Sequence, residues 1–199
     1  FSHTIMNSPE FQLAFATLIA SPQLCKQAIA DEPSVFDQFV LTEKEKTRLR
    51  SVLRQKGMSI CCSLYRMNRI TPLYTQLTQT ATLLGDELIT LAEEFWESYP
   101  DSSLQFKEEV LAFGQFLLAK LEVGTLKFPY LQEILRLELA INELSYAPAI
   151  SEKTVHFDYD IVAILLAMDR GTLQTERLQK VQVAYKVYLE EQTLKLALL

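Results

Sequence analysis

The chain has 199 residues and 22.8 kDa; 19 basic against 25 acidic side chains leave a formal charge of −6 and a pI near 5.1. Hydrophobic residues at 49% and charged residues at 22% are the proportions of a folded domain, which excludes a disordered or collagen-like chain. Only 5 glycines exclude a glycine-rich phosphate loop, and 2 histidines with 3 cysteines leave little material for a metal site.

Taken in chain order, Phe1 to Asn7 lack a charged segment followed by an apolar run, so no signal peptide is expected. Ser8-Pro9 and Ser21-Pro22 each set a capping hydroxyl before a proline suited to the first helical turn. The first opens a helix with Phe11, Phe15, Leu18 and Ile19 on one face, the second a helix with Leu24, Ala28 and Ile29. A short helix is expected around Val35 to Phe39, with Phe36 and Phe39 turned inward. Thr42-Glu43-Lys44-Glu45 fits a capping box, in which hydroxyl and carboxylate satisfy each other's orphan amides. The helix it opens is expected to bend at Gly57 and continue through Cys61, Cys62, Leu64 and Tyr65.

Thr71-Pro72 is expected to start another helix, ending at Gly85, which can adopt the left-handed cap conformation. In Asp86 to Tyr99, stopped by Pro100, the residues Leu88, Leu91, Ala92, Phe95 and Tyr99 fall at helical spacing. Phe106, Val110, Phe113, Leu117 and Leu121 repeat the pattern, and Tyr130, Ile134, Leu137, Ile141 and Leu144 repeat it after Pro129. Such stripes are core faces.

After Tyr146 the pattern changes. Ala147-Pro148-Ala149 reads as a connection, and Thr154, Val155, His156, Phe157 and Tyr159 are rich in β-formers. Ile161 to Met168 reads as a short buried helix closed by Arg170-Gly171, too short to cross a bilayer. Val181, Val183, Tyr185, Val187 and Leu189 then alternate with Gln182, Ala184, Lys186 and Tyr188, the period of a strand. Glu190-Glu191 marks a turn, and Leu194, Leu196 and Leu198 alternate again. The expected fold is mainly α (α+β): a helical domain over residues 1–146 and a small β-rich portion over 150–199.

The residues that could carry chemistry are sparse. Cys25, Cys61 and Cys62 are odd in number and two are adjacent, which predicts reduced thiols and a cytoplasmic setting. His156 and His3 have no neighbouring ligand motif, and no nucleophile elbow supports a serine triad. Glu93, Glu94 and Glu97, like Glu108 and Glu109, read as a solvated face, with Glu109 close to the buried stripe. Lys44, Lys46, Arg48, Arg50, Arg54 and Lys56, interleaved with Glu43 and Glu45, likewise read as a solvated helix face, with phosphate binding as the alternative. Arg66, Asn68 and Arg69 follow an apolar stretch, and Glu138 borders the stripe between Ile134 and Ile141. A half-buried charge needs a partner, so Arg66 and Glu138 are expected to join distant helices, or one of them to reach across an interface. No catalytic residue and no metal ligand is assigned.

The order Tyr65-Arg66-x-Asn68, Leu73, Leu77, Leu83-Leu84-Gly85, Leu91-Ala92-x-x-Phe95, Tyr99-Pro100, Ser103-Leu104, Phe113-x-x-Phe116-Leu117, Pro129-Tyr130-Leu131 and Leu137-Glu138-x-Ala140 resembles the DUF2063 group. The resemblance spans residues 65–140, and that group is often labelled DNA-binding. With Leu41-Thr42-Glu43 and the chain's size, it is most similar to the MbnC-type small subunits of methanobactin biosynthesis. The resemblance implies a non-catalytic partner of a DUF692-type TIM-barrel iron protein, forming a heterodimer. In such pairs the large subunit holds the iron and uses oxygen to convert precursor-peptide cysteines to oxazolone and thioamide. The small subunit completes the holoenzyme and helps hold the precursor's leader peptide. No cofactor is expected in this chain, and neither membrane nor nucleic acid is an expected partner; a DNA-binding or regulatory helical module is the alternative.

An acidic chain poor in motifs suits such a subunit. A β-rich C-terminus also offers a sheet edge to which an extended leader could add as a strand. Val181, Val183, Tyr185, Val187 and Leu189 are the candidate edge, and proline at Val183 is its natural test.

Overall fold

The fold is that of a computed structural model, which describes residues 8–30, 33–99, 106–146, 151–173, 177–190 and 193–199. Phe1 to Asn7 with His3, Pro100, Ser103-Leu104, Ala147-Pro148-Ala149 and Glu191 lie outside the described residues. Ten helices and three strands are found among those described: α1 (Pro9–Ala20), α2 (Pro22–Ile29), α3 (Pro33–Asp37), α4 (Glu43–Leu53), α5 (Lys56–Gln76), α6 (Thr78–Leu84), α7 (Glu87–Ser98), α8 (Phe106–Val123), α9 (Leu131–Tyr146), β1 (Glu152–Phe157), α10 (Ile161–Asp169), β2 (Val183–Glu190) and β3 (Thr193–Leu198). The chain is mainly α with a small antiparallel sheet, as its patterns predict.

It divides into two compact units, Phe1–Ile70 with Trp96–Pro100, and Thr71–Phe95 with Asp101–Leu199. In the first unit the Ser8 and Ser21 hydroxyls accept the Phe11 and Leu24 N–H groups and cap α1 and α2. Thr42 and Glu45 form the full capping box of α4. Ser8 also donates to Glu45 Oε1 at 2.5 Å, so one carboxylate serves the starts of both α1 and α4. Phe11, Ala14, Leu18, Cys25, Ala28, Val35, Phe36, Leu49, Leu53 and Met58 make the core of this unit.

Two helix boundaries differ from the sequence expectation. The helix opened by Thr42 ends at Leu53, and α5 starts anew at Lys56, one residue before Gly57. Helix α5 then runs through Thr71-Pro72 instead of starting there. Proline removes one backbone hydrogen bond, but Ile70 and Leu73 are buried on either side of it, so packing carries the helix past the gap. Only α6 ends at Gly85, whose φ of +55° suits a residue without Cβ.

In the second unit α9 packs on α6, α8 and β1. Gly114 of α8 lets α9 approach closely, because a Cβ there would lie 2.5 Å from the Leu139 side chain. Beside that contact Phe95 meets Phe113 edge-on and Phe116 at a tilt, while Phe113 and Phe116 are stacked. The sheet has the order β1-β2-β3, both pairs antiparallel. Val155, Phe157, Tyr185 and Val187 face inward and share one core with Ile134, Leu137, Ala140 and Leu144 of α9 and Ile161, Ile164 and Ala167 of α10. The boundary expected near residue 146 therefore falls inside a single core. The change of pattern there marks a change of secondary structure within one packed unit.

Candidate functional site

The antiparallel register fixes which backbone groups of the sheet remain turned outward. Leu199 N–H donates to Ala184 C=O at 2.9 Å, so Leu199 faces β2 across the ladder. Alternation then turns Thr193, Lys195 and Ala197 toward β2, opposite Glu190, Tyr188 and Lys186. The N–H and C=O groups of Leu194, Leu196 and Leu198 point the other way, along an edge with no strand beside it among the described residues. The side chains of these leucines lie on the core face; Leu194 and Leu196 are half-buried, and Leu198 is 64% exposed.

This arrangement corrects the candidate edge. Val183, Tyr185, Val187 and Leu189 lie on β2, the central strand, hydrogen-bonded to β1 on one side and β3 on the other. Val181 precedes the strand, and its N–H is taken by Asp158 C=O at 2.9 Å. Tyr185 and Val187 are buried, and the Tyr185 hydroxyl donates to Asp160 Oδ1 at 2.8 Å. Both backbone rows of β2 are occupied, so no further strand can add to it. The edges are β1 and β3. At the end of β1, Arg136 Nη1 donates to His156 C=O at 3.4 Å and occupies one of the outward carbonyls. The edge of β3 has no such side-chain partner at Leu194, Leu196 or Leu198 among the described residues.

Arg66, Asn68 and Arg69 all lie on α5, and Glu138 on α9. Asn68 is exposed, and Arg66 and Arg69 are half-buried. The Arg69 guanidinium lies 4.6 Å from the Trp96 ring centre and 5.9 Å from that of Tyr65, a cation held between two aromatic faces. Glu138 is buried. Its Oε1 accepts the Gln79 N–H at 2.7 Å and its Oε2 the Thr80 N–H at 3.1 Å. The N-cap residue of α6 is Leu77, whose side chain cannot cap, and Glu138 takes that role from a distant helix. Burial raises the Glu138 carboxyl above its ordinary value, opposed by the bonds it accepts from Thr80 and Gln79.

Among the buried polar groups, Asn142 and Glu133 were not singled out by the sequence patterns. Asn142 donates from Nδ2 to Gln76 Oε1, and Gln76 in turn donates to the Tyr146 hydroxyl at 2.8 Å. Glu109, grouped with the solvated face but noted as close to the buried stripe, is buried. Glu133 is buried too, with Oε2 accepting the Asp158 N–H at 3.2 Å and Oε1 3.6 Å from Arg136 Nη1. Its carboxyl is raised by burial, and Arg136 opposes the shift. Beside it a cleft of about 550 Å³ opens at one end of the sheet, lined by Arg136, His156, Asp158, Gln182 and Leu199 among others. Glu133 follows Tyr130 at a helix start, where an acidic residue is ordinary, so nothing local distinguished it.

Three of the four cations of α4 are engaged within the chain, and Lys44 is exposed. Lys46 pairs with Glu43 at 3.1 Å and lies 3.8 Å from Asp37, Arg48 lies over Phe11, and Arg50 lies over Phe36. Among the described residues no three metal-ligating side chains come together, and no helix is long and apolar enough to cross a membrane. Compared with known proteins, the chain matches no family model and no curated protein.

Proposed function

We propose that this chain is the non-catalytic partner subunit of an iron-dependent, oxygen-using enzyme that modifies cysteines of a ribosomally made precursor peptide. The reading rests on the resemblance of residues 65–140 to the DUF2063 group and the MbnC-type small subunits. Its structural support is the edge of β3, where three successive outward residues, Leu194, Leu196 and Leu198, offer backbone groups to an added strand. A leader peptide lying along this edge in extended form gains main-chain hydrogen bonds there. Its alternate side chains meet the leucines on one face and Lys195 and Ala197 on the other. The iron and the oxygen chemistry belong to a DUF692-type large subunit, which converts the cysteines to oxazolone and thioamide.

Docking of the large subunit has a candidate face of its own. Ile60, Leu64 and Met67, at spacings of four and three along α5, are 60%, 58% and 60% exposed. An apolar row at this spacing on one helix suits a protein partner better than solvent. The nucleic-acid alternative draws little support from α4, where Lys46, Arg48 and Arg50 sit against carboxylates and rings of the same unit.

The test is leader affinity of the reconstituted heterodimer, read by fluorescence anisotropy of a labelled leader peptide. Leu196→Pro removes an N–H that points away from β2, so the β2–β3 ladder keeps its bonds while strand addition loses one. Affinity lowered about tenfold or more with a preserved circular dichroism spectrum is the expected result. Unchanged affinity with the fold intact contradicts leader binding at β3.

A further inference from the structure

Cys25 of α2 and Cys62 of α5 belong to the same unit, and their sulfurs lie 4.0 Å apart. Cys25 is buried in the unit's core, Cys62 is half-buried against it, and both are free thiols. Cys61 is the next residue on the same helix, but one helical step turns it about 100° away, and it is exposed. The two adjacent cysteines thus have separate surroundings: one packs toward Cys25 and the other meets solvent. A disulfide needs its sulfurs near 2.05 Å, so about 2 Å of approach separates the thiol pair from a bond, the scale of a side-chain rotation.

We propose that Cys25 and Cys62 are an oxidisable pair that forms a reversible intramolecular disulfide linking α2 to α5, with a low-molecular-weight disulfide such as oxidised glutathione as the oxidant. The Cys62 thiolate attacks one sulfur of the glutathione disulfide, forming a mixed disulfide and expelling one glutathione thiolate. The Cys25 sulfur then attacks Cys62 Sγ and expels the second glutathione, whose thiolate is protonated as Cys25 gives up its proton. Two protein thiols are oxidised by two electrons, and one glutathione disulfide is reduced to two glutathione thiols.

The order of attack follows from the surroundings. Burial and the adjoining Cys62 sulfur push the Cys25 thiol up to about 11, so it holds its proton near neutral pH and acts second. Cys62 is the member of the pair that an oxidant can reach. A pair of this kind fits an intracellular chain, where disulfides are more often transient than structural. The bond would join positions 37 residues apart and tie the N-terminal helices of the unit to its longest helix.

The test uses the full chain, reduced and then equilibrated with increasing ratios of oxidised to reduced glutathione. Free thiols are alkylated under denaturing conditions, and tryptic peptides are mapped without reduction. The expected result is loss of two of the three alkylatable thiols, with the Cys25 peptide joined to the peptide of residues 57–66. Because that peptide holds both Cys61 and Cys62, two variants assign the bond: Cys61→Ser keeps the link and Cys62→Ser abolishes it. Cys61 is exposed, so its serine variant leaves the core untouched. Three results overturn the proposal: a link from Cys25 to Cys61, glutathione or a second chain attached at Cys61 while Cys25 and Cys62 both alkylate, or three alkylatable thiols at every ratio.

Discussion

Glu138 shows how a single carboxylate acquires a structural task that its neighbours in the chain do not reveal. Replacing it with alanine leaves the half-buried Gln79 and buried Thr80 amides without an acceptor, at a cost of about 2 kcal/mol in urea unfolding. The pH dependence carries a sign. Burial raises Glu138 and Glu133 above the ordinary carboxyl value of 4.5, so folding favours their protonated forms. The stability they contribute is complete below the unfolded-state value and is lost as pH rises through the folded-state values. Glu45 acts in the opposite direction. Bonds from Ser8, then Thr42, lower its carboxyl, so its contribution is present above the ordinary value and is lost as pH falls through the folded one. Glu138→Gln removes one raised carboxyl. Thermal melts from pH 4.5 to 7 should therefore show the variant gaining on the parent chain as pH rises; a constant difference would contradict the assignment. That Glu138 needed a partner was legible from its place beside the Ile134–Ile141 stripe. The identity of the partner was not, because the amides it accepts lie 58 and 59 residues away.

Helices were legible wherever the chain announces its own ends. Ser8, Ser21, Thr42 and Gly85 each act within four residues of the bond they make or allow, so sequence spacing contains the whole interaction. Pro72 misled because its local cost is set against burial on both sides of it, which only the folded chain shows. The strand at Val183 was legible from its period of two, but alternation says that a strand is half-buried and not which strands lie beside it. Central and edge strands differ by partners far along the chain, here β1 at one side and β3 at the other. A proline at Val183 consequently tests the fold: it should break the β1–β2 ladder and melt the sheet, seen as lost strand signal in circular dichroism. On α5, Leu64→Glu should leave unfolding free energy within about 0.5 kcal/mol, since the site is exposed, and weaken large-subunit binding about tenfold. Calorimetric titration of the two subunits checks the second part.

At the scale of the molecule, the chain builds two compact units from one continuous alternation of helices, with the only sheet among the described residues closing the second. The shift in composition after Tyr146 does not separate domains, because α9, α10 and the sheet contribute to the same core. Each unit offers a distinct surface for the proposed role: an apolar row on α5 in the first and an open strand on β3 in the second. Lys46, Arg48 and Arg50 of α4 rest on partners within the chain, so binding to DNA should be weak, with little of the steep salt dependence that phosphate contacts impose. The central claim, a partner subunit of an iron enzyme, is tested most directly by anaerobic purification of the tagged chain from its source cells. Co-eluting proteins are identified by mass spectrometry, and iron is measured in the same fractions. The account predicts a one-to-one complex with a TIM-barrel iron protein, iron included. Elution of the chain alone and without iron, from cells shown to express that partner, would contradict it.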